Sequence, residues 1–307
     1  MADAARAMVL TSFLGDSLAL GVHWIYDQQL LAEVHGRIDR LKAPGPDSYH
    51  PGKQAGDFTH YGDQTMVLLE SLARSKGFDP EDFSRAWRSH FEAGAPSYVD
   101  RATRNTLNQL AAGWEYGDAG SVSDDLAGAS RIAPLVYLLH GDEEALAAAC
   151  RRQTTLTHNN GKVADATEFF ARTTAAVLGG TPPGEAMARA LAGRLPGSPL
   201  HQWFADAQAQ AGTDCLTAIN RFGQSCHVDG AFQSTVQVIL RHQDAPAEAL
   251  VDSTMAGGDS AARNMIIGMV LGAWRGLEAL PPHWLEALKA RGKIEALLDA
   301  LDAAPKA

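Results

Sequence analysis

The sequence predicts an all-α protein, and three observations carry that reading. Apolar residues recur at three- and four-residue spacing along most of the chain. Helix-start signals of the Asp-Pro and Asp-Glu-Glu kind recur. No stretch alternates Val or Ile with polar residues over a strand length. The 307 residues include 46% hydrophobic side chains, enough for one large core. No linker separates two compositions and no repeat is evident, so a single domain over 1–307 is expected.

The helices follow in order. Residues 2–14 place Met8, Val9, Phe13 and Leu14 on one face. They run into Gly15-Asp16 and His23-Trp24, polar groups in an apolar stretch, which is costly unless they are hydrogen-bonded or face a cleft. Lys42 to Thr59 is rich in Pro and Gly, and long loops in compact domains are often functional. Gly62-Asp63 opens a helix in which Met66, Leu69 and Leu72 keep helical spacing. Asp79-Pro80 starts the next, with Phe83, Trp87 and Phe91 as its apolar stripe. Residues 98–112 and 126–140 read as helices, the second broken or bent at Pro134. Asp142-Glu143-Glu144 caps another, to about Leu156. Thr157-His158-Asn159-Asn160-Gly161 is a polar junction before a helix to Leu178. Shorter helices punctuated by prolines lead to 230–241 and 247–255, and 281–301 reads as a closing amphipathic helix.

The chain is organised around Gly257-Gly258-Asp259-Ser260 and the helix that follows, Met265 to about Leu277. Two glycines permit a tight turn, and Asp259 or Ser260 is placed to cap the helix. Gly268, Gly272 and Gly276, four apart, give one smooth face for a close helix neighbour. The apolar run is well short of the ~18 residues of a membrane span.

Composition excludes several partners. A net charge of −10 without a basic run argues against nucleic acid and anionic membrane. Cys150, Cys215 and Cys226 have no metal-type spacing and form no even set, which fits a reducing cytoplasm. The N-terminus lacks the basic start and cleavage site of a signal peptide.

Acidic junctions at Gly15-Asp16, Gly62-Asp63 and Gly258-Asp259 suggest one shared cleft. Grouped carboxylates bind Mg²⁺ or Mn²⁺, or act as acid and base; any one alone is explained by capping. In order and spacing these motifs resemble the ADP-ribosylglycohydrolase superfamily. So do Arg131-Ile132-Ala133-Pro134, Thr157-His158 and Leu280-Pro281-Pro282-His283-Trp284.

The resemblance implies an all-α fold and hydrolysis of an N- or O-glycosidic bond at ADP-ribose with two Mg²⁺ or Mn²⁺ ions. Laid on the family's Thr-Asp-Asp-Thr, this chain has Tyr61-Gly62-Asp63-Gln64. Laid on Gly-Gly-Asp-Thr-Asp-Thr it has Gly257-Gly258-Asp259-Ser260-Ala261-Ala262, and a family glutamate falls on His23. Asp63 and Asp259 are thus the remaining metal positions, for one ion at most. These replacements look most similar to the J-crystallin branch, which includes eye-lens structural proteins.

The expected catalytic residues are Asp63, His23 and Asp259, with Asp63 or His23 activating a water. Trp24, Tyr61, Gln64, His158, Asn159 and Ser260 are expected to contact a small-molecule ligand. His158 and Asn159 could equally cap the following helix. Arg263 is expected to pair with Asp259 or Asp63, a fixed charge in the metal's place. The alternative to a hydrolase is a non-catalytic, J-crystallin-like binding or structural protein.

Overall fold

The structure, a computed structural model, describes residues 2–94 and 97–303. Its centre is a pair of helices from opposite ends of the chain. α1 (Ala2–Ala19) packs along the helix that follows the glycine pair, Ser260–Arg275. Every residue of that helix from Ser260 to Ala273 is buried. The approach is backbone to backbone. A Cβ on Gly268 would stand 2.3 Å from the Thr11 carbonyl oxygen, and one on Gly15 would stand 2.4 Å from that of Asn264. The glycine face of the late helix therefore meets α1, while Gly276 ends the helix at φ +70°.

Around this pair the chain adds helices in sequence. α2 (Gln28–His35) precedes the long loop predicted over 42–59, which leads to α3 (His60–Ser75). α4 (Pro80–Glu92) and α5 (Arg101–Ala111) follow, each capped by an aspartate, Asp79 and Asp100. α6 (Ala127–Ser130) and α7 (Ala133–Leu139) are two short helices, so the stretch is broken rather than bent, with Pro134 in the first turn of α7. α8 (Glu143–Thr155) and α9 (Gly161–Leu178) pack as neighbours, with α10 (Pro183–Leu191) against α9. α11 (Leu200–Ala209), α12 (Cys215–Phe222), α13 (Val228–Arg241) and α14 (Pro246–Met255) lead to the central helix, α15 (Ser260–Arg275). The closing segment is also broken: α16 (Pro282–Ala287) and α17 (Arg291–Asp302) replace one long helix. Among the described residues there is no strand, only the isolated bridges Ser121–His158 and Asp125–His227.

Three local expectations need correction. Gly15-Asp16 lies inside α1, not at a helix start, because α1 continues to Ala19 over the glycine. Asp259 precedes α15 but makes no cap hydrogen bond; its carboxylate turns away to Tyr61. The cap of α9 is Asn160, which accepts from Lys162 and Val163 N–H, rather than His158 or Asn159. Asp3–Val22 also meets the length and hydropathy of a membrane span. Yet 89% of that window is buried within the fold, as in a core helix.

Asp16 joins α1 to α3. It accepts from Thr59 N–H at 2.7 Å, Thr59 Oγ1 at 2.5 Å and Gly62 N–H at 3.3 Å. Thr59 in turn caps α3 by accepting from Tyr61 N–H. Burial raises the Asp16 carboxyl to about 6 against these bonds. The first turn of α3, which carries Tyr61 and Asp63, is thereby fixed to the core.

Candidate active site

The site forms where residues 23–26, the start of α3 and the Gly257-Gly258 turn meet. Both glycines have positive φ, and each would drive a Cβ into backbone, Gly257 into Ile25 and Gly258 into Gln224. Trp24 N–H donates to the Gly258 carbonyl and Gly258 N–H to that of Ile25, so the two segments clasp each other. Trp24 is held at φ +67°, a conformation unfavourable for a bulky residue.

This clasp brings His23 to Asp259. His23 Nε2 lies 3.5 Å from Asp259 Oδ1, with both side chains buried. Neither atom has a hydrogen-bond partner, and His23 Nδ1 has none either. Burial, then the neighbouring His50 and His60, push His23 well below its ordinary value, so it is neutral. Asp259 Oδ2 accepts from the Tyr61 hydroxyl at 3.2 Å. His23 stacks on Trp24 with ring centroids 4.4 Å apart.

A second acid completes the centre. Asp125, Cys226 and Asp259 place one ligand atom each within 4.8 Å of one another. Burial raises Asp125 well above the carboxylate range, and the Asp259 charge adds to this. Burial also lifts Asp259 to about 6, against the opposing charge of Arg263. Because Asp125 is raised further than Asp259, the pair keeps one proton near neutral pH and it rests on Asp125. Cys226, raised by burial, donates its thiol to Asp125.

The other expected residues are placed as follows. Asp63 is not part of the Asp125–Asp259 group; both its oxygens accept from Lys53 Nζ, at 2.8 and 2.7 Å. Arg263 forms no ion pair with Asp259 or Asp63. It donates to the carbonyls of Gln224, Ser253 and Gly257, tying the turn together, and its charge bears on Asp259 from there. The Gln64 carbonyl oxygen accepts from Trp87 Nε1–H at 2.7 Å and from Arg131. Arg131 also donates to Thr157, whose hydroxyl meets His158 Nδ1 at 2.9 Å. Tyr61 and Ser260 are buried at the site, and His158 Nε2 and Ser260 Oγ have no partner. Asn159 is exposed.

Sequence reasoning missed Lys53, Asp125, Cys226, His50, His60 and Asp100. Lys53 and His50 lie in the long loop singled out for function, and His60 adjoins Tyr61. Asp125 and Cys226 carry no local signal, since only the fold unites them.

The chain belongs to the ADP-ribosylglycohydrolase family, whose model matches residues 1–307. It is 26% identical to crystallin J1B of Tripedalia cystophora over 316 aligned residues, covering 95% of this chain and 94% of that protein. Crystallin J1A of the same animal is 24% identical, covering 92% and 91%. An uncharacterised protein of Archaeoglobus fulgidus is 24% identical over 98% and 96%. Among solved structures, an "ADP-ribosylglycohydrolase-related protein complex" superposes with a TM-score of 0.73 at 25% identity, over 98% of this chain and 97% of that one.

The family implies a pair of Mg²⁺ or Mn²⁺ ions, and the residues present do not fit such a pair. The Lys53 ammonium already neutralises Asp63. Alanines 261 and 262 replace further family ligand positions. The remaining donor group includes a thiol, which hard cations disfavour. A further candidate ligand group, Cys215, His242 and Asp252, lies among α12, α13 and α14. A surface cavity of about 700 Å³ near Arg6, Trp274 and Asp299 lies at the other end of α1 and carries none of these groups.

Proposed function

We propose that this protein hydrolyses a C–N or C–O glycosidic bond of a small, ADP-ribose-like ligand, using the Asp125–Asp259 carboxyl pair where relatives use metal ions. The observation that carries this reading is the set of buried, adjacent and unpartnered polar atoms: Asp259 Oδ1 and both nitrogens of His23. Leaving such atoms unmade costs ~1–3 kcal/mol each, which a bound polar molecule would relieve.

In this reading Asp125 holds the proton of the pair and delivers it to the departing nitrogen or oxygen as the glycosidic bond breaks. Asp259, ionised near neutral pH, faces the positive charge that develops at the sugar carbon. Glycosidases commonly divide the work between two carboxyls in this way. Tyr61 orients Asp259, and His23 and Trp24 form a wall against which a ring can lie. The ligand is taken as a small molecule and the compartment as a reducing one.

The second reading is a binding protein without turnover. The Lys53–Asp63 pair favours it, because it closes the family's metal position. Titration of ADP-ribose into the metal-stripped protein, followed by assay of ADP-ribose release from N- and O-linked ADP-ribosyl peptides, separates the two. Metal-independent release supports the hydrolase. Binding without release supports the binder. Release only with Mg²⁺ or Mn²⁺ overturns the metal-free assignment.

A further inference from the structure

Apart from the candidate site, a second group of chemistry-bearing side chains gathers where α12, α13 and α14 meet. Cys215 is the first residue of α12, His242 follows the last residue of α13, and Asp252 lies within α14. No sequence motif links them; the packing of three helices does. His242 Nε2 lies 2.9 Å from Asp252 Oδ2. One ligand atom from each of the three residues lies within 4.8 Å of the others.

We propose that Cys215, His242 and Asp252 bind a single Zn²⁺ ion, with water in the fourth position, at a site separate from the Asp125–Asp259 pair. The donor set selects the ion. A thiolate disfavours Mg²⁺, Ca²⁺ and Mn²⁺, a carboxylate disfavours Cu⁺, and a mixed sulfur, nitrogen and oxygen set suits Zn²⁺. Tetrahedral bonds of about 2.0–2.3 Å put neighbouring ligand atoms roughly 3.3–3.6 Å apart. Side-chain movements of about 1 Å reach that spacing from the one observed.

Burial shapes the site as a closed end and an open one. Cys215 is 1% exposed, whereas the side chains of His242 and Asp252 are 16% and 26% exposed. The sulfur is the floor, and the ion and its water enter past the other two. The place is not taken by a fixed cation. Among the described residues Asp252 forms no ion pair with a lysine or arginine, in contrast to Asp63, which Lys53 holds. Arg241, beside Cys215, instead donates to the Gly212 carbonyl at 2.9 Å.

Binding exchanges one proton. Burial, then the Asp252 charge, lift the Cys215 thiol to about 12 in the free protein. Zn²⁺ takes the sulfur lone pair as that proton leaves to solvent, and it neutralises the charge that had opposed the thiolate. A neutral His242 moves its hydrogen to Nδ1, so that Nε2 bonds the metal, and one Asp252 oxygen makes the third bond.

The ion would clamp the two helices that lead into the Asp259 turn. α12 is followed by Gln224, whose carbonyl accepts from Asp259 N–H at 2.8 Å, and α14 by Gly257-Gly258. Gln28 already ties these helices, donating to the carbonyls of Leu216 and Ala256 at 3.2 and 3.1 Å. No step of hydrolysis passes through the metal, so the proposal stands independently of the hydrolase reading.

The test uses Co²⁺ and Zn²⁺ on the reduced, chelator-treated full chain. Co²⁺ should give a near-ultraviolet thiolate-to-cobalt band and the intense visible bands of four-coordinate cobalt, saturating at one equivalent. One equivalent of Zn²⁺ should bleach them, and millimolar Mg²⁺ should not. Zn²⁺ at a hundred times its Kd should raise Tm by about 4–6 °C. Cys215→Ser should abolish the near-ultraviolet band, whereas Cys226→Ser, which alters the other candidate group, should keep it. His242→Gln and Asp252→Asn should each weaken Zn²⁺ binding tenfold or more. Both lie at the partly exposed end, so they decide the matter even where the buried Cys215→Ser fails to fold.

A six-coordinate cobalt spectrum, or no band together with no Zn²⁺ effect on Tm, overturns the site. So does Zn²⁺ affinity unchanged in His242→Gln and Asp252→Asn. A band that survives Cys215→Ser and vanishes in Cys226→Ser also overturns it, placing the ion between Asp125 and Asp259.

Discussion

Replacing Gly268 by alanine should measurably loosen the whole protein, through one methyl group. The added Cβ would stand 2.3 Å from the Thr11 carbonyl oxygen and 2.8 Å from its carbon, where ordinary contact begins near 3.4 Å. The obstacle is backbone on both sides, so no side chain can rotate away. α1 and α15 must separate by about 1 Å, along the most extensive helix–helix contact in the fold. Overpacking of a tight core typically costs ~1–3 kcal/mol. At roughly 2 °C per kcal/mol for a chain of this size, Tm should fall by about 2–6 °C. Gly292→Ala is the control, because that helical glycine has open space around its Cβ position. It should gain ~0.5–1 kcal/mol from the lower entropy of the unfolded chain. Urea unfolding and calorimetry read both. A Gly268→Ala protein as stable as wild type would refute the claim that the two central helices touch through their backbones.

Further expectations concern charge. Asp259 titrates near 6 folded and 3.8 unfolded, so it favours the native state below pH 4 and loses that advantage as pH rises through 6. Asp259→Asn removes this, so its stability relative to wild type should rise by up to ~3 kcal/mol between pH 4 and 7, read by urea titration at each pH. No pH trend would show that the carboxyl is ordinary. Arg131→Ala removes a charged donor from Gln64 and Thr157 and should cost ~1.5–3 kcal/mol, seen as a loss of urea midpoint. Lys53→Ala leaves Asp63 unpaired and should cost ~1–3 kcal/mol. Millimolar Mg²⁺ should then raise the Tm of the variant and not of wild type; an equal response in both would remove Lys53 from the metal's place.

The helical class was legible because amphipathic spacing is a local property, and the glycine ladder at 268 and 272 announced a close neighbour. Which helix it meets was not legible, since Thr11 lies over 250 positions away. Helix ends were misjudged where two signals competed. Asp259 stands where a cap belongs, yet Tyr61 and burial draw its carboxylate inward. Asn160, two residues past His158, is the better acceptor and takes the cap. At the site, motif comparison found His23, Tyr61 and Asp259, which lie in recognisable strings. It could not find Asp125, Cys226 or Asp100, which have meaning only once distant loops converge. Nor could it see that Lys53 reaches Asp63, because a lysine in a Pro- and Gly-rich loop looks like any solvated charge.

The pairing of α1 with α15 bears on how the chain is made. About 240 residues separate the end of α1 from the start of α15. At 5–20 residues per second, the ribosome takes roughly 12–50 s to deliver the partner. For that interval a segment with the hydropathy of a membrane span has no glycine face to lie against. Nascent chains of this protein should therefore engage hydrophobic-segment chaperones early and release them late. The clasp of Trp24 on Gly258 closes only after release, so the candidate site is among the last parts of the molecule to exist.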